Sequence, residues 1–134
     1  MITFPEYHCD VSKIEFTIDC IINLDKHDYP RIDSNGSKIW RNKEGQVHRV
    51  NGPAKIYDNG TFEYWVNDKF HREDGPAIVY YDGSEEYYQE DKRHRLDGPA
   101  VIYADGYKSY WVGGEIHRVD GPARIRADGR EEYY

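Results

Sequence analysis

The chain has 134 residues and a formal net charge of −7, with 38% hydrophobic and 15% aromatic residues. One domain is the expectation at this length, and 13 tyrosines exclude a disordered composition, which is poor in aromatics. No stretch approaches the ~20 apolar residues of a membrane helix, and a net acidic chain is a poor general ligand for nucleic-acid phosphates.

Residues 1–29 stand apart from the rest. Ile14, Phe16, Ile18, Cys20 and Ile22 alternate with Lys13, Glu15, Thr17 and Asp19. That period of two predicts a half-buried strand. We expect an N-terminal cap here, because the end of a stacked array needs a protected edge. No basic segment precedes an apolar run, so no signal peptide is expected. Cys9 and Cys20 have neither metal nor redox spacing, which suits a reducing cytoplasm. Residues 1–34 carry seven acids against three bases, a balance of −4, and leave −3 for the remainder. This distribution is compatible with a basic protein partner.

From residue 30 onward the chain is periodic. The phrase His48-Arg49-Val50-Asn51-Gly52-Pro53-Ala54 returns at His71, His94 and His117, each 23 residues on. Asn59-Gly60, Asp82-Gly83, Asp105-Gly106 and Asp128-Gly129 keep the same beat, as do Tyr64-Trp65, Tyr87-Tyr88, Tyr110-Trp111 and Tyr133-Tyr134. A fixed period of this size marks a repeat array. Residues 30–47 read as a degenerate first repeat, one residue longer at Asn42–Gly45. Four copies follow, the last truncated.

Each copy reads as a hairpin. Gly-Pro marks a strand start, since Pro53 cannot donate into a ladder. Ala54 and Ile56 share one face, the expected core, with Val79, Ile102 and Ile125 as sister residues. Tyr57, Tyr80, Tyr103 and Arg126 share the other face with Lys55, Ile78, Val101 and Arg124. Asn-Gly or Asp-Gly suggests a type I′ turn. The returning strand is expected from Thr61 to Val66, and Asn67-Asp68, Glu90-Asp91 and Gly113-Gly114 fill the next tight turn. The predicted fold is all-β: a single-layer antiparallel ribbon of 23-residue hairpins. Nine or ten strands would make a rod of roughly 45 Å.

The period, the Asp-Gly turn and the aromatics after it resemble MORN-type repeats. Stretches such as YADGYKSYWVGGEIHRVDGPA are similar to the divergent MORN-like variant with an HRxDGPA phrase, found in bacteriophage and large DNA virus proteins. The resemblance covers residues from about 35 to 134. It departs where ordinary MORN units carry His-Gly and this chain carries His-Arg. It implies a β-sheet rod used for protein or lipid contact, without catalytic activity.

Three rows of residues are candidates for function. His48, His71, His94 and His117 lie about two strands apart, roughly 10 Å, too far to share a metal ion at ~2 Å; they read as turn-bonded structural residues. Arg49, Arg72, Arg95 and Arg118 can pair with Asn51, Asp74, Asp97 and Asp120 or, with His71 and His94, form a row for an anionic ligand such as a nucleotide. Tyr57, Tyr80 and Tyr103, with Trp65, Tyr88 and Trp111, are the expected anchors for a protein partner. Neither an activated nucleophile nor a phosphate-cradling loop is present, so no enzyme and no cofactor are expected. The leading expectation is a protein-binding module, extended by the phage-like resemblance to an inhibitor of a host enzyme. Membrane attachment is a weaker alternative, since anionic leaflets attract basic segments.

Overall fold

The computed structural model describes residues 29–134. The predicted cap, its strand over Lys13–Ile22 and both cysteines lie outside the described residues. Over the described residues the chain is all-β, with one ten-stranded antiparallel sheet and three small two-stranded hairpins beside it. The sheet grows in chain order: Arg31–Ile32, Lys38–Ile39, Lys55–Ile56, Phe62–Glu63, and so on to Glu131–Glu132 at the far edge. It is an open single-layer ribbon, each repeat adding two strands.

The Asn-Gly and Asp-Gly turns differ from the expected type I′. Only the glycine takes a positive φ, for example Gly60 at 96° and Gly106 at 101°. Gly60 N donates to Tyr57 O and Tyr57 N donates to Thr61 O. This is a type I turn closed by a left-handed glycine, the three-residue hairpin loop. The preceding Asx side chain makes it robust, since Asn59 Oδ1 accepts from Thr61 N and Asp82 Oδ1 from Ser84 N. The type I′ turns stand one step later. Asn67 and Asp68 have φ of 50° and 68°, and Glu90 and Asp91 repeat those values. Gly113-Gly114 takes the third such turn. The first repeat's extra residue has the same origin: Asn42–Gln46 uses the three-residue loop in place of the two-residue one, with Gly45 at φ 86°.

The returning strand is also not continuous from Thr61 to Val66. It breaks at Tyr64, and Trp65–Val66 pairs instead with Lys69–Phe70 in a side hairpin. Tyr64 belongs to both ladders. Its N–H donates to Ala77 O at 2.7 Å, and its C=O accepts from His71 N at 3.2 Å. Trp40, Tyr87 and Tyr110 do the same in their repeats. We refer to these four as corner residues.

The core is thin and draws on both faces, not only on the expected one. Ala54, Ala77, Ala100 and Ala123 are fully buried, but so nearly are Ile78 and Val101, while Val79 and Ile102 are only half-buried. The reason is size. Tyr57, Tyr80 and Trp65 point to the Ile78 side and lie across it, so the large aromatics roof the sheet rather than project from it.

The side hairpins stack as well. Asp68 N donates to Val47 O, and Asp68 Oδ1 accepts from Val47 N at 2.7 Å; Asp91 clasps Phe70 in the same two-point way. Gly114 keeps only the first of the two bonds, to Arg93 O. Replacing Gly113-Gly114 with Asn-Asp, the pair already working at 67–68, should therefore supply the missing acceptor. We expect a gain of about 1 kcal/mol, measured by urea unfolding; an unchanged or lower midpoint would show that the clasp does not stabilise the array.

Candidate functional site

The aromatic residues of each repeat divide between two environments. The corner residue meets an arginine. Arg49 lies 3.9 Å from the ring centre of Trp40, Arg72 3.8 Å from Tyr64, Arg95 4.1 Å from Tyr87 and Arg118 4.0 Å from Tyr110. The same guanidinium donates through Nη1 to the proline carbonyl four residues on, as Arg72 does to Pro76 O at 3.0 Å. It pairs through Nε with the aspartate two residues on: Arg72 with Asp74, Arg95 with Asp97 and Arg118 with Asp120. Asn51 takes that place beside Arg49.

The glycine in the phrase follows from this packing. A Cβ at Gly75 would sit 2.9 Å from Arg72 Cζ, and at Gly121 2.8 Å from Arg118 Cζ. A side chain there would push the stacked guanidinium aside. The four arginines of the predicted anionic-ligand row are thus stacked on aromatics and bonded to proline carbonyls, and Arg72, Arg95 and Arg118 also to aspartates.

His48, His71 and His94 are turn-bonded, each reaching into the next repeat. Asn67 N donates to His48 Nδ1, Glu90 N to His71 Nδ1 and Gly113 N to His94 Nδ1, at 2.9–3.1 Å. This bond holds the first left-handed residue of each type I′ turn. His71 Nε2 also lies 2.6 Å from Glu73 Oε2. Among the described residues, no group of three His, Cys, Asp or Glu could hold a metal ion, and no helix is long and apolar enough to cross a membrane.

The second aromatic of each doublet turns to the other face and joins Tyr57, Tyr80 and Tyr103. Here the sheet places a row that sequence reasoning missed: Glu63, Glu86, Ser109 and Glu132, at the same 23-residue beat. Tyr57 and Trp65 both donate to Glu63 Oε1, at 3.1 and 2.9 Å. Glu86 is the centre. It lies between Ile78 and Val101 in the ladder and is nearly fully buried. Tyr80 donates to its Oε2 at 3.0 Å, Tyr103 to Oε2 at 3.2 Å, Tyr88 to Oε1 at 2.9 Å and Arg93 Nη2 to Oε1 at 3.3 Å. Tyr103 reaches back a full repeat because its own counterpart is Ser109. That serine accepts from Trp111 Nε1 at 2.7 Å. At the last repeat Arg126 takes the tyrosine's place and bonds Glu132 at 2.7 Å.

Rings and cations fill the spaces between these anchors. Trp65 lies 4.1 Å from Phe70, and Phe70 5.0 Å from Tyr88. Lys55 stands over Trp65, and Arg93 over Trp111. All six predicted anchors are half-buried, and three of them, Tyr80, Tyr88 and Tyr103, meet at one carboxylate. The missed signal was an acid two residues before an aromatic, as in Glu63-Tyr64-Trp65 and Glu86-Tyr87-Tyr88.

No family model matches this sequence, and no curated protein matches it either.

The phenols are held neutral. Burial, with the Glu63 carboxylate alongside, pushes the Tyr57 hydroxyl up to about 12. Burial and Glu86 push Tyr88 up to about 12 and raise Tyr80 further. A phenol with a raised folded-state value stabilises fully below its unfolded value near 10, and loses that contribution as pH climbs through the folded value. Stability should therefore be flat in this respect to about pH 10 and fall above it. Absorbance titration at 295 nm should show these tyrosines ionising only with unfolding; early titration of all tyrosines would contradict the cluster. Glu86→Ala would strand three hydroxyls and a guanidinium and should cost about 3 kcal/mol in chemical denaturation.

Proposed function

We propose that this chain is a non-catalytic protein-binding module that presents its aromatic face to a protein partner. One observation carries the reading: Tyr57, Tyr80 and Tyr103, with Trp65, Tyr88 and Trp111, stand in two files whose polar atoms are tethered to Glu63, Glu86 and Ser109. Rings fixed in this way lose little freedom on association, so more of their contact free energy appears as affinity. Tyrosine and tryptophan dominate interface hot spots for that reason and for their area. The patch weakens toward the C-terminus, where Arg126 replaces tyrosine.

The net charge of −7 favours a basic partner, with electrostatic steering visible as a salt-dependent association rate. The resemblance to phage and viral MORN-like chains extends the reading to an inhibitor of a host enzyme.

The test is capture from host lysate on the immobilised full chain, followed by cross-linking and mass spectrometry to identify the captured protein. Affinity for it is then measured with Tyr57→Ala and Trp111→Ala, which lie either side of the Glu86 cluster. Each should weaken binding by about 1–2 kcal/mol while circular dichroism stays β-type. Folded variants that bind like the parent would reduce the aromatic face to scaffold.

A further inference from the structure

The loops of the His-Arg phrase carry a feature that the aromatic-face reading does not use. The residue that follows each arginine is aliphatic in three loops and stands almost free in solvent: Val50 at 80%, Leu96 at 80% and Val119 at 89% exposure. Glu73 holds the place in the fourth. These side chains cannot fold inward, because the stacked guanidinium already fills the underside of the loop, against glycine and ring. Exposed aliphatics that recur at one position of successive loops, unlike ones scattered singly, point to a contact.

Around them run the arginine–aspartate pairs, with the carboxylate as the outer member. The arginine side chains are only 24–27% exposed, whereas Asp74, Asp97 and Asp120 are 87–89% exposed. Glu73 adds one further carboxylate, held only by His71. Between the Arg72 and Arg95 loops lies an open groove of about 550 Å³, lined by Glu73, Asp74, Leu96 and Asp97 together with Arg72, His94 and Arg95. The loops follow one another at two strands per repeat, about 10 Å. Seven residues of α-helix rise about 10.5 Å. An extended segment returns a side chain to the same face every ~6.6 Å, which falls out of step with the loops.

We propose that this edge docks a basic amphipathic α-helix of a protein partner. Aliphatic side chains at seven-residue spacing would meet Leu96 and Val119, and flanking lysines or arginines would meet Asp74, Asp97 and Asp120. The inference stands independently of the aromatic face.

Two synthetic helical peptides of equal composition test it by fluorescence anisotropy against the full chain. One carries leucine at every seventh position with lysines beside it; in the other the leucines are scrambled over the helix surface. The regular peptide should bind on the order of tenfold more tightly than the scrambled one. Leu96→Ser with Val119→Ser should remove that advantage, and Asp97→Asn with Asp120→Asn should flatten the salt dependence of association. Trp111→Ala, on the opposite face, should leave it unchanged. All these loop positions are exposed, and circular dichroism checks the fold. Equal or absent binding of the two peptides, or full affinity in the Leu96→Ser, Val119→Ser variant, would overturn the proposal.

Discussion

Each repeat is held by a guanidinium clasped between an aromatic ring and a glycine. Arg72 on Tyr64 shows the whole device: ring below, Gly75 above, Pro76 carbonyl at one end and Asp74 at the other. The stacking alone is worth about 0.5–2 kcal/mol. Its larger effect is geometric. The ring belongs to the corner residue, where the chain leaves the main sheet and enters the side hairpin. Fixing the arginine to that ring sets where the next Gly-Pro begins and hence the register of the following repeat. Lysine could not substitute, since a compact ammonium has no plane to stack and no second donor in the same fork.

A second set of bonds couples neighbours. His48, His71 and His94 each accept from a backbone N–H nineteen residues later, and each type I′ turn is bonded to the segment of the preceding repeat. These contacts join only adjacent units, so the stability of the array is a sum of repeat and interface terms. The strain of left-handed Asn67 and Glu90 is tolerated where the preceding histidine supplies an acceptor.

The ribbon solves the problem of a thin core with polar chemistry. A single sheet has no second layer to bury its face. Tyrosine and tryptophan supply the cover, and their hydroxyl and indole groups need partners once half-buried. Glu63 and Glu86 provide them from within the sheet itself. A buried carboxylate is costly when unpaired, and Glu86 is tolerated because three phenols and Arg93 converge on it. The side chains that cover the sheet therefore also anchor it, whereas the aliphatic loop tips have no such internal duty.

The sequence by itself determined the repeat, its 23-residue beat, the hairpin at each Asp-Gly, the second turn at Asn67-Asp68 and the all-β class, because turn chemistry and period are local properties. Only the tertiary structure decided which face is covered. Alternation divides residues into two sets but does not say which set is inner, and here the alanines of one set and Ile78 and Val101 of the other are all buried. The break at Tyr64 was equally hidden, since a corner residue satisfies its N–H in one ladder and its C=O in another. The convergence of Tyr80, Tyr88 and Tyr103 on Glu86 depends on pairing Ile78 with Glu86 and Glu86 with Val101. That register brings residues seventeen positions apart within a hydrogen bond of one carboxylate, a proximity created by strand pairing across repeats and by no neighbour along the chain.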